Sequence, residues 1–576
     1  SYTNLQGQTR TYQAYPNNVS DFYRQGHIFQ NTANIAGGDA NRNFLLSIGN
    51  ANQAGIVPTS KFNRTNVQIS GESKLNNGLR IQASANYVQT VQGGTALGNG
   101  GSAFGQLTRI PRSYDLTGEP FTNDNGQSVY FNSTIVNPYW SLNNVTLNSQ
   151  VDRFFGNFTI GYDITKWLTA SYRVTGDTYT DRRKDVSNIG SSRSASGRVS
   201  QDMFFRSELN GDLIVTAKTS KFFLDGLGAT LLLGNNINQR RFQNTSVTGE
   251  SLTIPGFLNV SNASVFTNSN ESSTTRRLVG YYGQASFNYR DYLFLEVTGR
   301  ADQSSTLPVA NNTFFYPSAS VSFVPTEVFK LNSKVLSYAK VRAAVARVGR
   351  DADPYLLNSV FVQSSFGNNV ASVTFPLSVG GTSVPGFGIS TRIGNNALTP
   401  EFVLSEEVGL NMGFFDNRIG VDATYFFTKS TNQIFNVAIS NSSGFDTRTT
   451  NVGELQNQGL ELVLTGTPIR SRGFRWDVNL NYTRIRNKVI DITTGVTSAG
   501  ITGNGFGGIT PSIVQGQPYG VIVSSGYQRV QSTDPNAANY DPTGQFAGQF
   551  LINPTSGQFA PALANQVVSN PQLNYQ

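Results

Sequence analysis

Three side chains able to bind a polar molecule lie at alternate positions of one short stretch, GRADQSS. Arg300, Asp302 and Ser304 supply a guanidinium, a carboxylate and a hydroxyl group. Alternate residues of an extended strand share one face, so the three groups would point into the same space. One interpretation is a non-covalent contact with a polar substrate, because these groups donate and accept hydrogen bonds. The other interpretation, which we favour, is a structural ion pair that holds the strand to its neighbours or to another part of the protein.

Covalent catalysis and metal binding find little support in the sequence. The chain has no cysteine and a single histidine, His27, so thiol chemistry, histidine triads and multi-histidine metal sites are not predicted. Glu406, Glu407 and Glu461 invite a carboxylate-pair interpretation, but no nucleophile stands beside them, and a structural role in strands is favoured. We therefore predict that the protein is not an enzyme and that it uses no cofactor and no metal.

The elements that position these groups are predicted from the stretch FFGNFTIGYDITKWLTASYRVTGD, residues 154–177. Apolar and polar side chains alternate through two segments that a short turn at 165–167 joins. A period of two indicates two β-strands with one apolar and one polar face. The apolar face would pack on a second sheet in a soluble sandwich, whereas in an outer-membrane barrel it would face lipid.

Composition favours the barrel. Only 38% of the 576 residues are hydrophobic, yet 11% are aromatic, which suits a wall that is half polar with Tyr and Phe at the interfaces. Charged residues are 14%, and the net charge of +8 is spread thinly, so nucleic-acid binding is not predicted. No apolar run approaches the roughly 18 residues of a membrane-spanning helix. Trp167 and Trp476 flank short turns and are interpreted as interface anchors, whereas Trp140 could stack on a sugar ring.

The hairpin pattern recurs along the chain, in residues 278–302, 410–427 and 459–487. Tight turns on one side contrast with long polar connections on the other, as is typical of short periplasmic turns and long extracellular loops. We predict about 16 to 18 strands of about ten residues each. Tyr338–Gly349 has weak alternation and could be a short helix by propensity, and we assign it as a strand mainly because of the resemblance described below. The long connections are predicted at 90–150, 178–200, 238–275, 350–400 and 490–575.

Several stretches resemble the barrel of SusC/RagA-type TonB-dependent outer-membrane transporters of Bacteroidota. Residues 299–330 are similar to the family's Arg-x-Asp-x-Ser-Ser strand and the following Phe-Pro-Ser-x-Ser strand, with Tyr316 in place of the usual Phe. The next strand follows the family pattern with Ala344 in place of Ser. Further resemblances, in family order, are residues 22–64, "LTPEFVLSEEVGLNMGFF" with the strand after it at 398–435, and "NVGELQNQGLELVL" at 451–464.

This resemblance implies an all-β fold, a large antiparallel transmembrane β-barrel of about 22 strands in the full family member. Residues 1–576 are expected to form most of that barrel, with the N-terminal plug domain and the C-terminal strands outside this sequence. The chain stops at NPQLNYQ, which we place in an extracellular loop. The implied location is the outer membrane of a Gram-negative bacterium, crossed by many strands.

The implied function is active import of a nutrient, an oligosaccharide or a peptide, energised by TonB acting on the plug. The implied partners are a SusD-like surface lipoprotein that caps the barrel and outer-membrane lipid. Family members also commonly pair as a dimer of two transporter–lipoprotein units. Two alternatives stay open: a siderophore-type TonB receptor without a lid, and a secreted all-β adhesin or glycan-binding protein. The sequence does not identify the substrate.

Overall fold

A computed structural model describes the chain from residue 1 to residue 569 with internal gaps. The residues left out are 6, 96–101, 192–193, 332, 334, 364, 368–371, 493–495, 502–508, 525–526, 528, 531–534, 536–539, 547, 553–565 and 570–576. The expected extracellular position of NPQLNYQ therefore concerns residues outside the described part of the chain.

Sixteen long strands belong to one antiparallel sheet in which spatial order follows chain order. They are β1 (His27–Gly38), β2 (Arg42–Ala54), β3 (Lys61–Lys74), β4 (Leu79–Thr95), β5 (Val145–Asp163), β6 (Leu168–Ser187), β7 (Arg198–Thr219), β8 (Leu227–Leu252), β9 (Ala263–Tyr289), β10 (Leu293–Ser304), β11 (Thr313–Phe323), β12 (Leu336–Arg350), β13 (Glu401–Phe414), β14 (Ile419–Thr431), β15 (Glu454–Arg470) and β16 (Arg475–Asp491). The predicted all-β class and strand number are confirmed, and Tyr338–Gly349 lies in strand β12.

Helices are few and short in the described chain. They are α1 (Asn18–Phe22), α2 (Ala103–Leu107), α3 (Pro138–Asn144) and α4 (Pro325–Val328), with 3₁₀ turns at Val260–Asn262, Val309–Asn311 and Asn441–Ser443. The start of α3 is set locally, because the Asn137 side chain accepts a hydrogen bond from the Tyr139 N–H and Pro138 occupies the first turn. None of the described helices has the length and apolar character needed to cross a membrane.

Short strands outside the large sheet form small sheets in the connections. They are Tyr2–Thr3, Thr9–Arg10, Phe361–Gln363, Ser365–Gly367, Ser372–Thr374, Leu377–Val379, Thr382–Val384, Phe387–Ile389, Arg392–Ile393, Ile434–Ala438, Thr447–Asn451, Ser498–Gly500, Ile509–Val514, Val521–Ser524 and Gln566–Ser569.

The chain divides into two compact units. Unit 1 comprises residues 1–217 and 233–280, and unit 2 comprises residues 218–232 and 281–576. In unit 1, the connections 39–41, 75–78 and 164–167 lie at one end of the strands, which we call the short-turn end. The described parts of the other connections, 102–144, 188–191 with 194–197, and 253–262, lie at the opposite, long-connection end.

Unit 2 has the same asymmetry. Its connections 220–226, 290–292, 415–418 and 471–474 are short, whereas 351–400 and 432–453 at the other end are long. Following the rule for outer-membrane strands, we take the short-turn end as periplasmic and the long-connection end as extracellular in each unit.

The register places the predicted faces as alternation requires. In unit 1, Phe158 lies opposite Ala83 and Val174, and Val174 lies opposite Gly211. This apolar face is not covered by the chain itself, because Phe158 is 48% and Leu209 54% exposed. An apolar face so open to its surroundings is what a lipid-facing wall requires, and a sandwich would bury it.

Buried apolar residues gather instead at the long-connection end. In unit 1, Phe22, Leu107, Leu116 and Leu142 share one core, and Val186, Val199 and Leu252 form another. In unit 2, Leu307, Phe314, Ala352 and Leu398 form a third. The long connections of the described chain are therefore partly folded structures with cores of their own.

Two of the predicted connection boundaries are wrong. Residues 238–275 are largely strand, because β8 continues to Leu252 and β9 begins at Ala263, and β6 likewise continues to Ser187. The strands run on beyond the apolar band, where both of their faces become polar. Without an apolar face the period of two loses its contrast, so the sequence there reads as a loop.

Candidate transport surface

The predicted group on β10 lies on the polar face of unit 2. Arg300 Nε lies 2.8 Å from Asp302 Oδ1, and the Tyr316 hydroxyl donates a hydrogen bond to the other carboxylate oxygen. Tyr316 is directly opposite Arg300 on β11. The Arg300 guanidinium also lies over the ring of Tyr282, 5.4 Å from its centroid. Asp302 is 4% exposed, so its carboxylate is held by this arrangement rather than open to solvent.

Ser304 belongs to a second, adjoining group. Its hydroxyl donates to Asp351 Oδ2 at 2.5 Å and lies 2.9 Å from the Thr306 hydroxyl, which also contacts Asp351 Oδ2 at 3.0 Å. All of these side chains are buried. The structure therefore brings Arg300 and Asp302 together but gives Ser304 different partners at the start of the connection to β11. Of the three, the Arg300 side chain, 28% exposed, presents the most accessible charge.

The three glutamates considered as a carboxylate pair do not meet. Glu406 and Glu407 are successive residues of β13, so they point to opposite faces of the sheet. Glu461, on β15, lies opposite Thr424 and Thr483. Among the described residues, no group of three or more His, Asp or Glu side chains is placed to hold a metal ion.

A network of polar side chains on the polar face of unit 1 was not predicted from the sequence. Arg173 Nη2 lies 3.0 Å from Asp212 Oδ2, and Asn236 Nδ2 donates to Asp212 Oδ1 at 2.7 Å. Asn210 donates to the same carboxylate at 2.8 Å. A nearby pair joins Arg240 Nε and Glu208 Oε1 at 2.9 Å. The polar parity of each strand was visible in the sequence, but the pairing of β6 with β7, which brings Arg173 to Asp212, was not.

Unit 2 carries a related arrangement around Asp422. Arg342 Nη2 donates to Asp422 Oδ1 at 2.7 Å and to the Thr424 hydroxyl at 2.6 Å. Asn411 donates to the other carboxylate oxygen at 3.0 Å. Guanidinium groups that keep about a third to a half of their side-chain surface exposed thus recur beside fixed carboxylates, as in Arg342 (36%) and Arg173 (47%). Such a surface can bind a hydrated polar molecule through many weak contacts and offers no covalent chemistry.

A folded cap stands at the long-connection end of unit 1. We use this name for residues 1–5, 7–26 and 102–144. Phe22 packs with Leu107 and Leu142, and the Asn18 amide donates to the Tyr114 carbonyl at 2.6 Å. Glu119, with 2% of its side chain exposed, lies 2.8 Å from Arg10 Nε and accepts a hydrogen bond from Asn4 at 2.9 Å. These contacts tie the first residues of the chain to the connection between β4 and β5.

Trp140 lies inside this cap, which corrects the sugar-stacking interpretation. The side chain is 1% exposed and packs against Val136 and Val145. Its indole Nε1 donates to the Gly126 carbonyl at 2.9 Å. Both the ring and its donor are therefore used to build the cap and are not offered to a ligand.

Two buried tyrosines lie together inside the cap. Tyr114 and Tyr130 meet edge to face, 5.4 Å between ring centroids, and burial raises the pKa of both phenols above the ordinary value of 10.0. Tyr130 donates to the Gln106 carbonyl at 3.1 Å, whereas the Tyr114 hydroxyl has no hydrogen-bond partner within the described chain.

We expect the cap to lose stability as the pH rises above about 10. The unfolded segment releases its phenol protons there and the folded one does not, so the folded state binds more protons and its stability falls by about 1.4 kcal/mol per pH unit and tyrosine. Below pH 10 the effect is absent. Subtilisin cleavage within 102–144 of the full-length protein, followed from pH 9 to 11.5, measures it. Tyr114→Phe should roughly halve the pH slope, and an unchanged slope would contradict the assignment.

The large sheet matches a known protein family. Residues 99–562 match the family described as TonB dependent receptor-like, beta-barrel. The chain belongs to this family. Its barrels lie in the outer membrane of Gram-negative bacteria and cross it with many strands, and its members are transporters, not enzymes.

Relatives of the TonB-dependent receptor family agree with this assignment. TonB-dependent receptor P26 of Formosa agariphila is 26% identical over 493 residues, 81% of this chain and 46% of the relative. TonB-dependent receptor SusC of Bacteroides thetaiotaomicron is 26% identical over 235 residues, 39% of this chain and 22% of SusC. The SusC/RagA-type resemblance read from the sequence is thereby confirmed.

A solved structure shares the fold. The RagAB peptide transporter superposes with a TM-score of 0.72 at 16% identity, covering 89% of this chain and 56% of the transporter chain. This chain thus spans about half the length of P26 and of the RagAB chain.

Proposed function

We propose that this chain forms the barrel wall of an outer-membrane importer of an oligosaccharide or peptide, driven by TonB and capped by a SusD-like lipoprotein. Support comes from similarity to a receptor named SusC and to a structure described as a peptide transporter. In this proposal the polar faces line the transport path. Arg173, Arg300 and Arg342 are the residues we assign to contacts with the passing substrate, because each keeps part of its side chain exposed.

The roles within the Arg300 group differ. Asp302 and the Tyr316 hydroxyl fix the guanidinium in place, so we assign them to positioning rather than to direct contact. Ser304, bonded to Asp351 and Thr306, holds the strand to the connection that follows it. A preorganised cation binds a polar substrate with a smaller loss of side-chain entropy than a free arginine would.

The observation that carries the lid proposal is apolar surface exposed at the extracellular end. In unit 1, Ile56 is 60%, Phe104 66% and Phe121 43% exposed, in or beside the cap. These positions lie beyond the membrane-facing strands, so lipid does not cover them. Exposed aromatic side chains in an aqueous setting are typical of a surface that another protein covers. A lid-less siderophore receptor has no need of such a surface.

We expect the double variant Phe104→Ser/Phe121→Ser of the full-length protein to retain at least tenfold less lipoprotein. The reason is the loss of aromatic contact area, which contributes about 1–2 kcal/mol per anchor. Co-purification from detergent extracts, with the lipoprotein quantified by mass spectrometry, measures it. Phe223→Ser is the matched control, because Phe223 is 87% exposed but lies at the short-turn end of unit 2.

Uptake of labelled oligosaccharides and peptides by cells carrying the same variants separates the substrate classes. Import should require TonB, and it should be lower in the variant that captures less lipoprotein. A wild-type transporter that purifies without any lipoprotein and takes up ferric siderophores would overturn the proposal in favour of the lid-less receptor.

A further inference from the structure

A row of basic and amide side chains crosses five strands of unit 1 near the extracellular end. Its members are in register from β3 to β7: Lys61, Gly93, Asn148, Lys184 and Gln201. The neighbouring row, one step closer to the short-turn end, is formed by Asn63, Val91, Gln150, Arg182 and Met203.

These side chains project from the apolar face, not from the polar one. On β5, Asn148 and Gln150 share the parity of Phe154 and Phe158. The Asn148 and Lys61 side chains lie on the same face as the Cβ position of Gly93, because a Cβ built there would lie 2.6 Å from Asn148 Oδ1 and 3.2 Å from Lys61 Cε. The missing side chain leaves room for the Lys61 stem and the Asn148 amide to lie over the backbone of β4.

The two rows enclose an open groove of about 630 Å³. Its lining includes Lys61, Val91, Asn148, Arg182, Lys184 and Met203. Arg182 is paired with Asp152, which also accepts hydrogen bonds from Tyr87 and Gln89 at 2.9 Å each. No ion pair of Lys61 or Lys184 occurs within the described part of the chain. The groove therefore carries two positive charges for which the described residues provide no ion-pair partner.

The height of the groove fits a lipid head group. Tyr87 and Phe154 lie opposite one another and mark the upper edge of the apolar band. Along β4, Val91 and Gly93 lie four and six residues beyond Tyr87. At about 3.3 Å per residue and a tilt of about 40°, the two rows stand roughly 10 and 15 Å above that edge. This exceeds the roughly 5–8 Å depth of an ordinary phospholipid head group, so a larger head group is required.

We propose that this groove binds the phosphorylated head group of an outer-leaflet glycolipid. Lys61 and Lys184 hold a phosphate as point charges, and Asn148 and Gln201 donate hydrogen bonds to phosphate or sugar oxygens. The acyl chains then lie on the apolar face below, against Phe154 and Leu209. Basic pockets at the membrane surface attract anionic lipids in this way, with each lysine contributing several-fold in affinity.

Native mass spectrometry of the full-length transporter in neutral detergent tests the site, with rough lipopolysaccharide as the probe. We expect Lys61→Gln/Lys184→Gln to bind it about 25-fold more weakly than the wild type, from about fivefold for each lysine. Lys74→Gln/Lys166→Gln is the matched control. It removes the same two charges at the short-turn end of unit 1, where both lysines are exposed, and should bind as the wild type does.

Further arms separate the possible ligands. Dephosphorylated lipopolysaccharide and phosphatidylethanolamine should bind weakly and equally to all three proteins. If 10 mM inorganic phosphate by itself displaced the bound lipopolysaccharide, the groove would be a site for free anions and the lipid assignment would be overturned. Equal lipopolysaccharide binding by the wild type and the groove variant would overturn it as well. Retained lipoprotein capture in the groove variant keeps this test independent of the proposed import function.

Discussion

Val174→Arg in the full-length protein should prevent most of the chain from reaching the folded, membrane-inserted state. Val174 lies in the middle of β6, opposite Phe158 on β5 and Gly211 on β7. That row lies within the apolar band, between the Tyr87 and Tyr162 levels. Arginine at the bilayer midplane costs about 2–4 kcal/mol on a barrel wall, enough to lower the folded population by roughly 30- to 1,000-fold.

The matched control is the next residue. Thr175→Arg introduces the same side chain at the same depth but on the polar face, opposite Asn157 and Asn210. Arg173 and Asp177 flank it two positions away on that face, so the added charge meets one like and one opposite neighbour. We expect a change of less than about 1 kcal/mol, as for other lumen-facing positions.

The measurement is the fraction of each protein that runs as a heat-modifiable band on unheated gels of outer-membrane extracts. Equal loss in the two variants would mean that both faces are packed against protein or water. That result would contradict the assignment of the apolar face to lipid, on which the groove at Lys61 and Lys184 also depends.

The features that could be predicted from the sequence are those set by residues close together along the chain. The alternation of Phe154 through Ile164 and the turn at 165–167 depend on neighbours within a few residues, and the structure has β5 and β6 joined at that turn. The parity of Arg300, Asp302 and Ser304 is local in the same sense, and it placed Arg300 beside Asp302.

The features that were missed depend on contacts distant in sequence. Glu119 meets Arg10 across 109 positions, and Arg173 meets Asp212 across 39. The partner of a polar residue on a strand is set by strand order and register, which alternation in one strand does not specify. Polar strand extensions such as Gln239–Leu252 were missed for another reason, because both of their faces are solvated and the pattern carries no apolar signal.

Trp140 shows how far a residue type alone can mislead. An isolated tryptophan in a polar connection suggested that Trp140 could stack on a sugar ring, yet it is the largest fully buried side chain of the described chain. It was misread because its buried neighbours Val136 and Val145 lie outside α3, on either side of it, so no repeated apolar pattern marks the three residues as one core. Its position in the cap instead makes it the natural site at which to test whether the cap folds as a unit.

Trp140→Ala should therefore open the cap while leaving the membrane-spanning strands in place. Removing a fully buried aromatic side chain costs about 3–5 kcal/mol, and the Gly126 carbonyl loses the indole donor at 2.9 Å as well. Amide hydrogen exchange across 102–144 in the full-length protein should accelerate on the order of 10²- to 10³-fold.

Phe104→Ala is the control, because Phe104 is an exposed aromatic residue in α2 of the same cap, and it should leave exchange unchanged. Exchange rates in β6 and in β5 beyond its first residues, where Val145 contacts Trp140, should match the wild type in both variants, because those parts of the ladder lie outside the cap core. If Trp140→Ala left the exchange of 102–144 unchanged, the connection would not be a cooperatively folded cap, and the lid surface proposed on it would lose its rigid support.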